Sequence, residues 1–183
     1  MMHPLMRLFV DPRCAPSPLS TGLLVLRMLT GGLMALHGAG KMAMPFTWMG
    51  DSTPLPVPGV LQFLGASAEF FGGLAWMLGL ATPLATLGIA VTMLVGIAIA
   101  HIPVGDPFIR LSIQGMTTGP GEPFWGLPTW LVRAGGRSMG GSGSSELATL
   151  YIAISVMLFV AGPGRFSLDA WLTRRLSART APA

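Results

Sequence analysis

A single cysteine, Cys14, is all that the 183 residues contain. No internal disulfide can form and there is no C-x-x-C pair, so a redox role needs a bound cofactor or a partner protein. Cys14 reads as a plain residue of the N-terminal tail; palmitoylation beside a membrane helix is the minor alternative. Charge is equally scarce. Asp, Glu, Lys and Arg make up 10% of the chain, against roughly 25% in soluble domains. The net charge of +4 comes mostly from arginines near the ends. They lie beside apolar spans, where orientation in a membrane explains them, and a nucleic-acid partner is not expected. Metal-ligand spacing is missing too: there is no H-x-x-x-H or H-x-x-E, so no metal is predicted.

What the chain does have is apolar length. It is 51% hydrophobic, with a mean hydropathy of +0.65, and its length suits one domain. These values point to an all-α integral membrane protein. The thirteen methionines are scattered through apolar spans, which favours flexible packing over a metal-handling surface. Residues 1–18 read as a tail; a cleaved signal peptide is rejected because the following apolar run is too long. Spans are expected at about 19–42, 58–79, 82–102 and 145–161, within a domain covering 19–172. The proline-rich stretch 44–58 is a loop, and Trp48 in it suits a membrane interface. The turn between Gly79 and Pro83 is short, so the second and third spans form an antiparallel hairpin. An outer loop, 103–144, separates the third and fourth spans, and its glycine-serine end reads as a linker. Beyond Gly162-Pro163-Gly164, the segment RFSLDAWLTRRLSART suits a short interfacial helix. Trp171, Leu172 and Leu176 would face lipid, with Arg174, Arg175 and Arg179 at headgroups. Residues 173–183 form a basic C-terminal tail. The expected architecture is an antiparallel four-transmembrane-helix bundle with no internal repeat.

The first span carries Arg27, His37 and Lys41. On a helix, Arg27, Thr30/Gly31, Met34, His37/Gly38 and Lys41 fall on one stripe. Ionisable groups in hydrocarbon face a bundle interior or a wet cavity, so this stripe should be the helix's working side. In the second span, Gly65, Glu69, Gly72/Gly73 and Trp76 share a face, and small residues there let helices approach closely. With four antiparallel spans, His37, Lys41, His101 and Glu146 come to one rim. Glu69 lies deeper, and Arg27 is expected to pair with it. Each residue has a plainer reading as well. Arg27 and Glu69 suit a structural ion pair, Lys41 a snorkelling anchor, and His101 and Glu146 favourable charges at helix ends. Chemically, His, Lys and Glu between apolar walls suit a quinone, whose ring needs an apolar slot and whose carbonyls need donors. A metal held by His37, His101 and a carboxylate is the minority alternative.

The runs R-M-L-T-G-G-L-M-A-L-H-G-A-G-K and E-F-F-G-G, the terminal His101, Glu146 and G-P-G-R-F-S-L-D resemble the DoxX family of small four-helix bacterial membrane proteins. The resemblance extends over about residues 19–172. It implies a redox-linked subunit of the bacterial inner membrane that meets the quinone pool, in the company of thiosulfate:quinone oxidoreductase or quinol oxidase components. The matching positions are Arg27, His37, Lys41, Glu69, His101, Glu146 and Arg165. Implied partners are the bilayer and oxidoreductase subunits, with self-association left open. A noncatalytic anchor or assembly protein is the alternative, and whether the chain itself is an enzyme stays open. A transporter is less favoured in a chain without repeats.

The tails carry Arg7, Arg13, Arg165, Arg174, Arg175 and Arg179, against Arg110, Arg133 and Arg137 in the opposite loops with Lys41 at the edge, and this surplus places the termini in the cytoplasm. A reporter fused after Ala183 should then be active in the cytoplasm, and one inserted in the 135–144 linker active outside. The reverse pattern would invert the whole arrangement.

Overall fold

A computed structural model describes residues 17–50, 55–111, 122–124, 126–135 and 143–180. Its elements are α1 (Ser17–Met42), α2 (Gly59–Leu78), α3 (Thr82–Gly96) with a π-helical extension over Ile97–His101, β1 (Ile109–Leu111), β2 (Val132–Ala134), α4 (Glu146–Ala161) and α5 (Leu168–Thr180). The chain divides into two compact units. One comprises Met1–Trp48, Val57–Thr92 and Ile154–Ala183; the other Met49–Pro56 and Met93–Ala153.

The fold is helical and membrane-associated. Pro18–Met42 and Thr82–His101 are each long and apolar enough to cross a bilayer; the apolar helix Glu146–Ala161 is shorter. Only 33% and 17% of the two long apolar windows are buried. A soluble protein would hide such helices in its core. Here Leu29, Leu33 and Leu36 on α1 and Leu84, Leu87 and Val91 on α3 stand exposed, as side chains facing lipid do.

In the first unit, α1 and α2 run antiparallel at backbone contact. A Cβ on Gly31 would sit 2.7 Å from the Gly73 carbonyl oxygen, and one on Gly73 would run into the Ala35 amide. Further along, a Cβ on Gly38 would overlap the backbone of Phe70. Glycine is required at all three positions, because lipid gives helices no hydrophobic reason to associate and close van der Waals contact must do it. On the far side of α2, Gly72 receives Ile89 of α3.

The α2–α3 turn ends on Gly79 in the left-handed conformation (φ 62°). Leu80 N–H donates to the Ala75 carbonyl at 2.9 Å and Gly79 N–H to that of Trp76 at 3.1 Å, closing the helix as a Schellman motif. The next helix is capped from a distance. Asp169 of α5 accepts from Ala81 N–H at 2.8 Å and Thr82 N–H at 2.9 Å, meeting the open donors of an N-terminus. Ser167 in turn caps α5, accepting from Ala170 N–H at 3.1 Å. The helix continues through Thr180, so the boundary expected at 172/173 falls inside it.

The second unit adds one short pair of strands to the all-α fold. Within the outer loop, β1 and β2 pair in parallel, with Ile109 opposite Val132, Arg110 opposite Arg133 and Leu111 opposite Ala134. Phe124, Val132 and Ala134 form a small core there, with Leu111 and Leu131 against it. Much of the linker and Trp125 lie outside the described residues, as does Cys14.

The glycine contacts predict opposite signs for two substitutions. Gly73→Ala should lower the melting temperature in detergent, costing about 1–3 kcal/mol through overpacking. Gly22→Ala, on the same pair of helices but with open space around it, should raise stability by about 0.5–1 kcal/mol. Equal responses would show that α1 and α2 do not meet through Gly73.

Candidate functional site

The polar side chains that sequence places inside the apolar helices do find partners, though not all the expected ones. Gly38 lets α1 touch the Glu69–Phe70 backbone, and Lys41 follows one turn later on the same face. Its ammonium donates to Glu69 Oε1 at 2.5 Å. The Lys41 side chain is 25% exposed and the Glu69 side chain only 2%. Trp48 covers the pair, with Lys41 Nζ 4.2 Å from its ring centroid, within cation–π range. Trp48 is itself held by its Nε1–H, which donates to the Gln62 carbonyl at 2.9 Å. Gln62 Nε2 donates to the Val57 carbonyl at 2.9 Å, tying the loop to the start of α2. Phe46 and Phe63 stack nearby at 5.2 Å between ring centroids.

Glu69 Oε2 is buried and has no hydrogen-bond partner among the described residues. A buried carboxylate oxygen left unsatisfied is costly. It marks a place where a donor from outside the chain would be favourable.

Arg27 does not pair with Glu69, contrary to expectation. It is fully buried at the other end of α1, where Nη1 donates to the Trp76 carbonyl at 3.1 Å and Nη2 to the Phe166 carbonyl at 2.7 Å. Its guanidinium fills the space that a side chain at Gly79 would need. Asp169 attracts the positive charge electrostatically, with no ion pair between the two among the described residues. Rise per residue alone could not separate these outcomes. Lys41 and Arg27 flank Glu69 along the antiparallel pair, and only the helix register decides which reaches it. Arg27 thus joins α1 to the α2 C-terminus and the G-P-G-R-F-S-L-D turn, and is structural rather than part of the Lys41 site.

His37 also departs from the stripe. It is exposed, while its neighbour Gly38 takes the contact position; it forms no hydrogen bond or ion pair among the described residues.

His101 and Glu146 belong to the second unit. His101 ends the π-helical turn, closed by Ile102 N–H to the Ile97 carbonyl at 3.0 Å. Its Nδ1 donates to Asp106 Oδ2 at 3.0 Å, and Arg110 approaches Asp106 Oδ1 at 3.5 Å. A carboxylate accepting at Nδ1 leaves Nε2 of a neutral ring as the free acceptor. Asp106 and Arg110 were missed in the sequence. The signal was there, five and nine residues beyond His101, but the proline-glycine turn between them has no helical spacing. Arg110 is fixed by donating through Nε to the Gly143 carbonyl at 2.6 Å and through Nη1 to that of Gly135 at 3.1 Å. Glu146 is exposed in the first turn of α4, where a carboxylate suits the helix dipole. No group of three His, Cys, Asp or Glu able to hold a metal occurs among the described residues.

These features define a helical membrane-associated protein with a lysine–carboxylate pair buried between two apolar helices. Residues 22–102 match the DoxX family model, so over that segment the chain is similar to the DoxX family. The match contains α1 from residue 22 onward, α2, α3, the Lys41–Glu69 pair and His101; Glu146 and the G-P-G-R-F-S-L-D turn lie beyond it. That match supports a general redox-linked membrane role. No curated protein and no solved structure matches the chain.

Removing Lys41 should be more damaging than removing the pair. Lys41→Met leaves the Glu69 carboxylate buried alone, with a loss approaching the roughly 3–5 kcal/mol typical of a broken buried pair. Adding Glu69→Gln should recover much of that loss in a detergent melt. Arg27→Leu should be additive with Glu69→Gln, since the two do not touch. Strong coupling between Arg27 and Glu69 would refute the assignment.

Proposed function

We propose that the chain is a membrane subunit of a redox-linked complex that meets a quinone at the Lys41 end of the α1–α2 pair. The observation that carries this reading is the buried Glu69 Oε2, without a partner among the described residues, next to a Lys41 ammonium that lies against the Trp48 ring. The donor set fits the group. A quinone supplies two-electron, two-proton redox chemistry between oxidoreductase and membrane pool. Lys41 offers a hydrogen-bond donor to a carbonyl oxygen. Trp48 and Phe46 offer ring faces at the loop end of α1, and stacking between aromatic planes adds orientation. His37, one turn before Lys41, is exposed and has no protein partner among the described residues, so its ring nitrogens are open to a ligand. Glu69 holds the ammonium in place, and its second oxygen can accept a proton-bearing group.

The four apolar helices are read as membrane spans. At about 1.5 Å per residue, the 20 residues of α2 reach ~30 Å, the thickness of the hydrocarbon core. Both termini are placed in the cytoplasm of a bacterial cell. Oxidoreductase subunits are the expected partners, and electrons enter and leave through them, because the chain has no dithiol of its own. In the second unit, His101, oriented by Asp106, is a separate candidate for ligand contact.

The alternative, a noncatalytic anchor, makes a different demand on His37. If α1 only held the complex together, replacing an exposed residue without partners would change nothing. His37→Ala should leave the detergent melting temperature unchanged and lower the quinone recovered by lipid extraction of the native complex. Unchanged quinone retention in a stably folded His37→Ala protein would remove His37 from the site. If Trp48→Ala also retained its quinone, the anchor reading would stand.

A further inference from the structure

Outside the Lys41 site, the most unusual surface of the first unit is α5 with the turn that precedes it. Arg165, Arg174 and Arg175 are all exposed, and none is paired with a carboxylate among the described residues. The one acid close to them in sequence, Asp169, is buried and bound to the Ala81 and Thr82 amides. It is committed to capping α3.

The arginines are also laid on apolar surface. The Arg175 guanidinium lies 4.4 Å from the Trp171 ring centroid and that of Arg165 5.6 Å from the Phe166 ring. Both rings are themselves exposed, at 44% and 47%. Arg174 reaches back toward the Arg165 carbonyl at 3.5 Å. Leu172 and Leu176 continue the exposed apolar face. The opposite face is fixed: Ala170 is fully buried, Ser167 and Asp169 hold the N-terminal turn, and Arg27 grips the Phe166 carbonyl. The cationic, aromatic surface is therefore presented rigidly, at the end of α1 and α2 where their apolar length runs out.

We propose that this surface binds an anionic phospholipid, its phosphate held by Arg174 and Arg175 and its acyl chains lying along Trp171 and Leu176. Arginine matches phosphate through paired N–H donors. Uncompensated cations beside a membrane attract anionic headgroups by about 1 kcal/mol each. Free phosphate would satisfy the arginines but leave Trp171, Leu172 and Leu176 in water, so a ligand with both a phosphate and a hydrocarbon tail fits the whole surface.

The test uses the full chain in detergent, titrated with phosphatidylglycerol or phosphatidylcholine of the same acyl chains and read by native mass spectrometry. Phosphatidylglycerol should be retained preferentially. Arg174→Gln with Arg175→Gln should reduce that preference by about fivefold per arginine, with an unchanged melting temperature. The lysine double variant, Arg174→Lys with Arg175→Lys, keeps the charge and should retain most of the preference; it also serves as the folded control if the glutamine pair is unstable. Equal retention of the two lipids by the unaltered chain overturns the site. So does a preference that survives the glutamine pair, and so does complete displacement of lipid by millimolar inorganic phosphate.

Discussion

Everything in the first unit depends on how closely α1 and α2 approach. Gly31, Gly38 and Gly73 remove the side chains that would hold the two backbones apart. In lipid, that contact replaces the hydrophobic force that drives soluble helices together. The Lys41–Glu69 pair follows from it. A lysine has reach, but a carboxylate buried in the middle of α2 is met only if the neighbouring helix comes within one side-chain length. The ion pair and the glycine contacts are therefore one device, since the small residues bring the charges together and the charges fix the register.

The same helices carry two charged centres with different duties. Arg27 spends its donors on backbone carbonyls of Trp76 and Phe166, and so couples α1 to the end of α2 and to the turn before α5. Asp169 answers from α5 by capping α3. That end is tied together by hydrogen bonds from α1 and α5, although Arg27 Nε and Thr82 Oγ1 are buried there without a partner among the described residues. The Lys41 end has a quarter-exposed lysine side chain and a carboxylate oxygen with no partner among the described residues. A protein that needs one rigid end and one receptive end has both in a pair of antiparallel helices. The π-helical turn at His101, with Asp106 and Arg110 behind it, is a local feature of the second unit, of the kind that often marks functional positions in helices.

Helix positions were legible in the sequence because apolar length, proline and glycine act locally. The expected 19–42, 58–79, 82–102 and 145–161 compare with Ser17–Met42, Gly59–Leu78, Thr82–His101 and Glu146–Ala161. The partner of Glu69 was not legible. Arg27 and Lys41 lie on the same stripe of α1, and the choice between them depends on the relative shift of two helices. His37 was placed on the working face because three- and four-residue spacing defines a stripe about as wide as His37 and Gly38 together. Only contact with α2 shows that glycine occupies the inner position. The parallel β1–β2 ladder was missed because three-residue strands around proline and glycine have no periodicity to read.

Composition, apolar length and the breaker residues thus determined that this chain is helical and membrane-associated, where its helices begin and end, and which few polar side chains need an explanation. Those properties are set by neighbours along the chain. Tertiary structure decided which charge meets which, that Asp169 caps a helix nearly ninety residues before it, that His101 is held by Asp106, and that Arg27 serves the scaffold. Apart from the local His101–Asp106 contact, each of these depends on groups far apart in sequence meeting within hydrogen-bonding distance. A register shift of one helical turn, about 5.4 Å, would exchange every partner while leaving the sequence pattern unchanged.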